Sequence, residues 1–152
     1  MTFPSGTTST SSRGSNPPVA NAVVIDTSAW YAIVSSSDKF HESAVRVFNG
    51  LIDGGASLMT TSYVLAETVG LVQRRLGRQV VLKVGTTIPA ICEIIWVEER
   101  AHALVWREVQ RSEARLSLVD WSCVVTARTF RCPVFAFDSD FKQTGIRVIP
   151  EL

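Results

Sequence analysis

AVVID at 22–26 is a short apolar, β-branched run that ends on an acid and passes directly into TSAWYAIV, an apolar segment of helical character. A run without polar alternation belongs in a strand covered on both faces, and such strands belong to parallel sheets wrapped in helices. The same alternation continues along the chain. KFHESAVRVFNGLIDGG reads as an amphipathic helix closed by Gly54 and Gly55, and SLMTT as a second strand. Helices follow over 62–76 and 78–92, the first stopped before Gly77 and the second expected to bend near Pro89. EIIWVEE is a third strand, 98–114 and 118–131 are helices, and PVFAFD is a fourth strand. DFKQTG makes a short turn or helix before a last strand, IRVIPEL. Strands separated by helices predict a three-layer α/β sandwich around a mostly parallel central sheet of about five strands.

Residues 1–21 stand apart. MTFPSGTTSTSSRGSNPPVAN is Ser-, Thr-, Gly- and Pro-rich with almost no aliphatic content, so it cannot offset its ordering entropy and is expected to be a disordered tail. The folded domain is therefore expected over 22–152. The tail lacks the apolar core of a secretory signal, and no apolar run reaches the ~18 residues that suggest a membrane span. Cys92, Cys123 and Cys132 have no CxxC spacing, which leaves buried reduced thiols and a reducing cytoplasm as the expectation. With 15 basic and 14 acidic residues the net charge is +1, so no overall field drives sequence-blind nucleic-acid binding.

Acids recur at corresponding places in this pattern. Asp26 ends the first strand and Asp138 the fourth, while Glu67 and Asp120 lie within helices beside apolar runs. In an open parallel sheet, ligands bind beyond the carboxyl ends of the strands, where strand order reverses. If the first and fourth strands are neighbours there, their carboxylates converge. Carboxylates gathered from several elements commonly hold a hard divalent cation against phosphate.

Each acid also has a structural explanation. Asp26 suits an N-cap for TSAWYAIV, and Ser117 with Asp120 has the spacing of a capping box. Asp138 and Asp140 suit a turn. Glu67 lies opposite the stripe Leu65, Val69, Val72 and Leu76, yet Val64 and Leu71 flank it, so it needs either solvent or a partner. Competing chemistries find less support. His41 and His102, each in a predicted surface helix, give no evident acid/base pair. DTSAWY has neither the Gly-rich spacing of a dinucleotide fold nor the second acid, at Ser28, of a haloacid-dehalogenase-type phosphatase. No G-x-S-x-G elbow is present.

Taken together, IDTSAW, the acid of LAE, LSLVDWSCVVTAR and FAFDSDF resemble a PIN domain, and within that family the VapC-type toxins of bacterial toxin–antitoxin pairs. The likeness covers 22–152, with the acids in the family's order. It implies a metal-dependent ribonuclease in which Asp26, Glu67, Asp120 and Asp138 occupy the acidic positions. Asp26, Asp120 and Asp138 would hold Mg²⁺ or Mn²⁺, with Thr27, Ser28 and Asp140 in support. RNA is then the expected substrate, and an antitoxin protein a possible partner. Two features depart from the family: Trp121 stands where a small residue is usual, which would narrow the pocket, and the tail is long. A non-catalytic PIN-like module binding RNA or protein is the alternative.

Arg74, Arg75 and Lys142 could steer phosphate, although solvated surface charge is the favoured reading of them. Trp30, Trp96, Trp106 and Trp121 read as core residues rather than base-stacking platforms. Segment 78–92 is apolar on nearly every side, and Tyr63, Val64 and Leu71 add to it, so a two-fold homodimer interface is expected there.

Overall fold

A computed structural model describes residues 21–151. Five strands form one sheet: β1 (Ala22–Ile25), β2 (Ser57–Thr61), β3 (Glu93–Ile95), β4 (Val134–Phe135) and β5 (Val148–Ile149). Their order is β3-β2-β1-β4-β5, with every neighbouring pair parallel. Val24 sits in register with Met59 on one side and Val134 on the other. Strand order therefore reverses at β1, and the switch point lies between β1 and β4. Asp26 follows the first of these strands and Asp138 lies beyond the second, so the condition for their carboxylates to approach one another is met.

Six helices connect the strands: α1 (Thr27–Val34), α2 (His41–Asp53), α3 (Ser62–Leu76), α4 (Arg78–Ile91), α5 (Glu99–Arg111) and α6 (Leu118–Phe130). A 3-10 turn spans Ser139–Thr144. β1 is buried along its whole length, which its unbroken apolar run foretold. Met59, Val64, Val124 and Phe135 pack with it in the core, and each such side chain contributes roughly 1.5–3 kcal/mol by leaving water. Cys92, Cys123 and Cys132 are free and buried. Among the described residues no helix is long and apolar enough to cross a membrane.

Several expectations change. β3, β4 and β5 are shorter than their apolar runs, and after β3 and β4 competing hydrogen bonds draw the chain out of the ladder. Val97 donates to the Ser62 hydroxyl, and Phe137 to that of Ser28. α4 continues through Pro89 to Ile91 as one helix. The buried face of α3 is Val64, Thr68 and Val72, while Leu65, Val69 and Leu76 are half-buried. Val64 is thus core of the monomer and unavailable to an interface. Trp30 and Trp121 are buried, but Trp96 and Trp106 are 69% and 47% exposed, so the core assignment fails for those two. The expected tail lies outside the described residues except for Asn21, which belongs to the fold. Its side chain donates to the Gly54 carbonyl at 2.9 Å, and its own carbonyl accepts from Ser57.

Candidate active site

Asp26 emerges from β1 at the switch point and caps α1. Its Oδ2 accepts from the Ser28 backbone N–H at 2.9 Å and from the Ser28 hydroxyl at 2.7 Å. Its Oδ1 accepts from the Cys123 thiol at 3.7 Å. The side chain is 2% exposed. Burial is the main reason its pKa is pushed up from 3.8 to about 6; the charge of Asp120 adds to the rise, and the bonds from Ser28 and Thr27 oppose it.

Asp120 lies in the first turn of α6 and closes the expected capping box. The Ser117 hydroxyl accepts from Asp120 N–H at 3.1 Å, and Asp120 Oδ2 accepts from Ser117 N–H at 2.7 Å. Desolvation raises its pKa most, the Ser117 bonds pull it down, and the carboxylates of Asp138 and Glu67 push it up again. Glu67 stands exposed on α3, where its Oε2 accepts from the buried Thr27 hydroxyl at 2.6 Å. Asp138, beyond β4, accepts from Asp140 N–H at 2.9 Å and caps the 3-10 turn. Capping does not exclude a site role: Asp26, Asp120 and Asp138 each cap, and Asp120 also feels the charges of Asp138 and Glu67.

The four acids share one electrostatic neighbourhood, and the charges that bear on Asp26 and Asp120 are carboxylates. Hard oxygen donors in mutual repulsion beside a buried Asp fit a hard divalent cation. Among the described residues no three His, Cys, Asp or Glu side chains surround a common point. The fit is therefore one of donor chemistry and position, with the carboxylates held by their caps.

The other candidate residues divide. Thr27 and Ser28 contact acids directly. Asp140 supports Asp138 through its backbone while its carboxylate accepts from Gln143, so its side chain serves the turn. Arg75 lies over the Tyr31 ring at 5.5 Å, and Arg74 folds back along its own helix over Gly70. Lys142 is exposed on the 3-10 turn. Trp121 is buried beneath Arg128, so its bulk goes into the core rather than across the pocket mouth. The two histidines are half-buried and partnered, His41 with the Ala32 carbonyl and His102 with the Tyr63 hydroxyl. Cys123 was overlooked as a site neighbour. It lies three residues beyond Asp120 on α6, a spacing that shares a helix face, but its reading as an inert thiol hid the contact.

The protein is an α/β sandwich whose all-parallel sheet has Asp26 and Asp138 beyond the carboxyl ends of the two strands at its switch point. The family model described as PIN domain matches residues 23–146. The 23S rRNA-specific endonuclease VapC20 of Mycobacterium tuberculosis is 29% identical over 133 residues, covering 85% of this chain and 99% of that protein. The crystal structure of that organism's VapC20, described as a sarcin–ricin loop cleaving toxin, superposes with a TM-score of 0.72 at 25% identity, covering 82% of this chain and 95% of the other. VapBC2 from Rickettsia felis, bound to promoter DNA, shares the fold with a TM-score of 0.63 at 13% identity, covering 84% and 96%. The chain belongs to the PIN-domain family and, within it, is similar to VapC-type toxins.

Proposed function

We propose that this ribonuclease toxin hydrolyses RNA phosphodiesters with Mg²⁺ or Mn²⁺ held by Asp26, Asp120 and Asp138, and with Glu67 as the fourth acid of the site. One observation carries the reading: Asp26 is buried within the field of Asp120, which itself feels Asp138 and Glu67. Gathering these charges is costly unless a cation joins them. A bound divalent ion supplies positive charge at the phosphate and makes water a stronger nucleophile at neutral pH.

The chain's own residues supply rigidity. Ser28 and Cys123 fix both oxygens of Asp26, Thr27 orients Glu67, and the α6 capping box anchors Asp120. Arg74, Arg75 and Lys142 are proposed to steer phosphate at the rim. Ribosomal RNA is the proposed substrate class, by likeness to the relative named for 23S rRNA. An antitoxin protein is the proposed inhibitor, since similar solved structures are VapBC pairs, and a cytoplasmic homodimer is the proposed form.

The test is cleavage of a ribosomal RNA fragment by purified protein, with Mg²⁺, with Mn²⁺ and with EDTA. Cleavage is expected with either ion, and none with EDTA or with Asp120→Asn. Binding without cleavage under every condition would identify a non-catalytic RNA-binding module instead.

A further inference from the structure

The acids occupy the carboxyl end of the sheet; the opposite end has a cavity of different chemistry. It measures about 380 Å³ and is lined by Asn21, Ala22, Arg131, Cys132 and Arg147, among others. Ala22 begins β1, and Arg147 immediately precedes β5. Among the described residues no acidic residue lines this cavity, whereas both Arg131 and Arg147 do. Among the described residues neither Arg131 nor Arg147 has a side-chain hydrogen bond or ion pair.

Both arginines spring from fixed backbone. Arg147 O accepts from Val134 N–H at 2.9 Å, which locks it beside β4. Arg131 ends α6 in the left-handed region, at φ 53, with Cys132 N–H bonded back to the Ala127 carbonyl. Gly or Asn is the usual residue in that conformation, because a Cβ there is strained. The α6 dipole attracts a cation at this end, which accounts for one arginine. It does not account for Arg147, which lies on no helix and adds a second positive charge to the same cavity.

We infer that this cavity is an anion pocket that seats a phosphate group between Arg131 and Arg147. Guanidinium forks match phosphate oxygens, and a bound dianion or diester would relieve the repulsion between the two cations. Two sources share that chemistry, a small phosphate compound and the backbone of an RNA extending past the cleavage site. The pocket does not depend on the catalytic assignment, since it lies at the other end of the sheet.

The experiment uses ¹⁵N-labelled full-length protein in EDTA, titrated with inorganic phosphate and, separately, with a short oligoribonucleotide. Backbone signals of Arg131, Cys132 and Arg147 should shift. Arg131→Gly, which suits the left-handed backbone, combined with Arg147→Gln should weaken that binding about tenfold or more, as expected from losing two charge-assisted contacts. Circular dichroism and unchanged amide signals at the other end of the sheet report that the variant remains folded. If phosphate alone reproduces the shifts, the ligand is a small phosphate compound; if only the oligonucleotide does, the pocket holds RNA backbone. Absent shifts with both probes, or equal affinity in the double variant, would overturn the inference.

Discussion

Ser28 and Phe137, 109 residues apart in the chain, meet where the Phe137 N–H donates to the Ser28 hydroxyl oxygen at 3.0 Å. That hydroxyl in turn donates to Asp26 Oδ2 at 2.7 Å. One oxygen thereby ties the segment after β4, with Asp138 next in sequence, to the carboxylate that ends β1. Ser28→Ala should reduce ion affinity or cleavage by roughly 10–100-fold, the usual cost of losing a group that orients a ligand. Ser28→Thr keeps the hydroxyl and should retain most activity. Calorimetric Mn²⁺ titration alongside cleavage rates checks both, and an unaltered Ala variant would refute the tether.

Asp26→Asn should abolish cleavage and stabilise the metal-free protein. The folded chain holds the Asp26 proton up to about pH 6, against 3.8 ordinarily. Because the folded-state pKa is raised, this stabilisation is complete below pH 3.8 and is lost as pH rises to about 6. Above that range the buried charge costs about 3 kcal/mol, at about 1.4 kcal/mol per pH unit. Asn caps a helix as well as Asp does, so Asp26→Asn should recover much of that cost. Melting curves in EDTA across pH 4–7 decide; a variant less stable than the parent at neutral pH would contradict the repulsive-charge argument.

Direct attack of water on phosphorus leaves 5′-phosphate and 3′-hydroxyl ends. Attack by the RNA's own 2′-hydroxyl leaves a cyclic phosphate. The acid site predicts the first pair, which end-labelling and mass spectrometry can identify. Cyclic ends would shift the chemistry towards the half-buried histidines.

Association should depend on α4. Leu82 is 55% and Ile91 42% exposed, whereas Val84 is 5% exposed and belongs to the core. Leu82→Glu should therefore turn a dimer into a monomer without unfolding it, as read by light scattering. Val84→Glu would instead test folding. A parent protein that is monomeric at micromolar concentration would remove α4 as a homodimer surface.

Long elements were readable in the sequence. α1, β2 and α3 begin and end where composition, caps and Gly77 placed them. The extents of β3 and β4 were not readable because apolar runs do not reveal the hydroxyls, Ser62 and Ser28, that capture the next backbone N–H. The acids were visible at strand ends and helix starts, but their tethers were not. Thr27 to Glu67 and Cys123 to Asp26 join distant segments that only the folded topology brings together. Trp96 was misplaced because an aromatic beside a strand resembles core until the strand ends beneath it.

The capping roles of Asp26, Asp120 and Asp138 have an evolutionary consequence. A mutation of one of these acids to a residue without a side-chain acceptor disables the proposed chemistry and also leaves a helix or turn start uncapped. Drift alone would therefore erase such a centre slowly, since uncapping typically costs about 1 kcal/mol of a marginal stability. A descendant freed from cleaving RNA would still be under pressure to keep a capping acceptor at both positions, although at Asp26 an Asn would serve the cap as well as the acid does. Glu67 caps nothing and is exposed, so it is the acid whose loss would first mark retirement from catalysis.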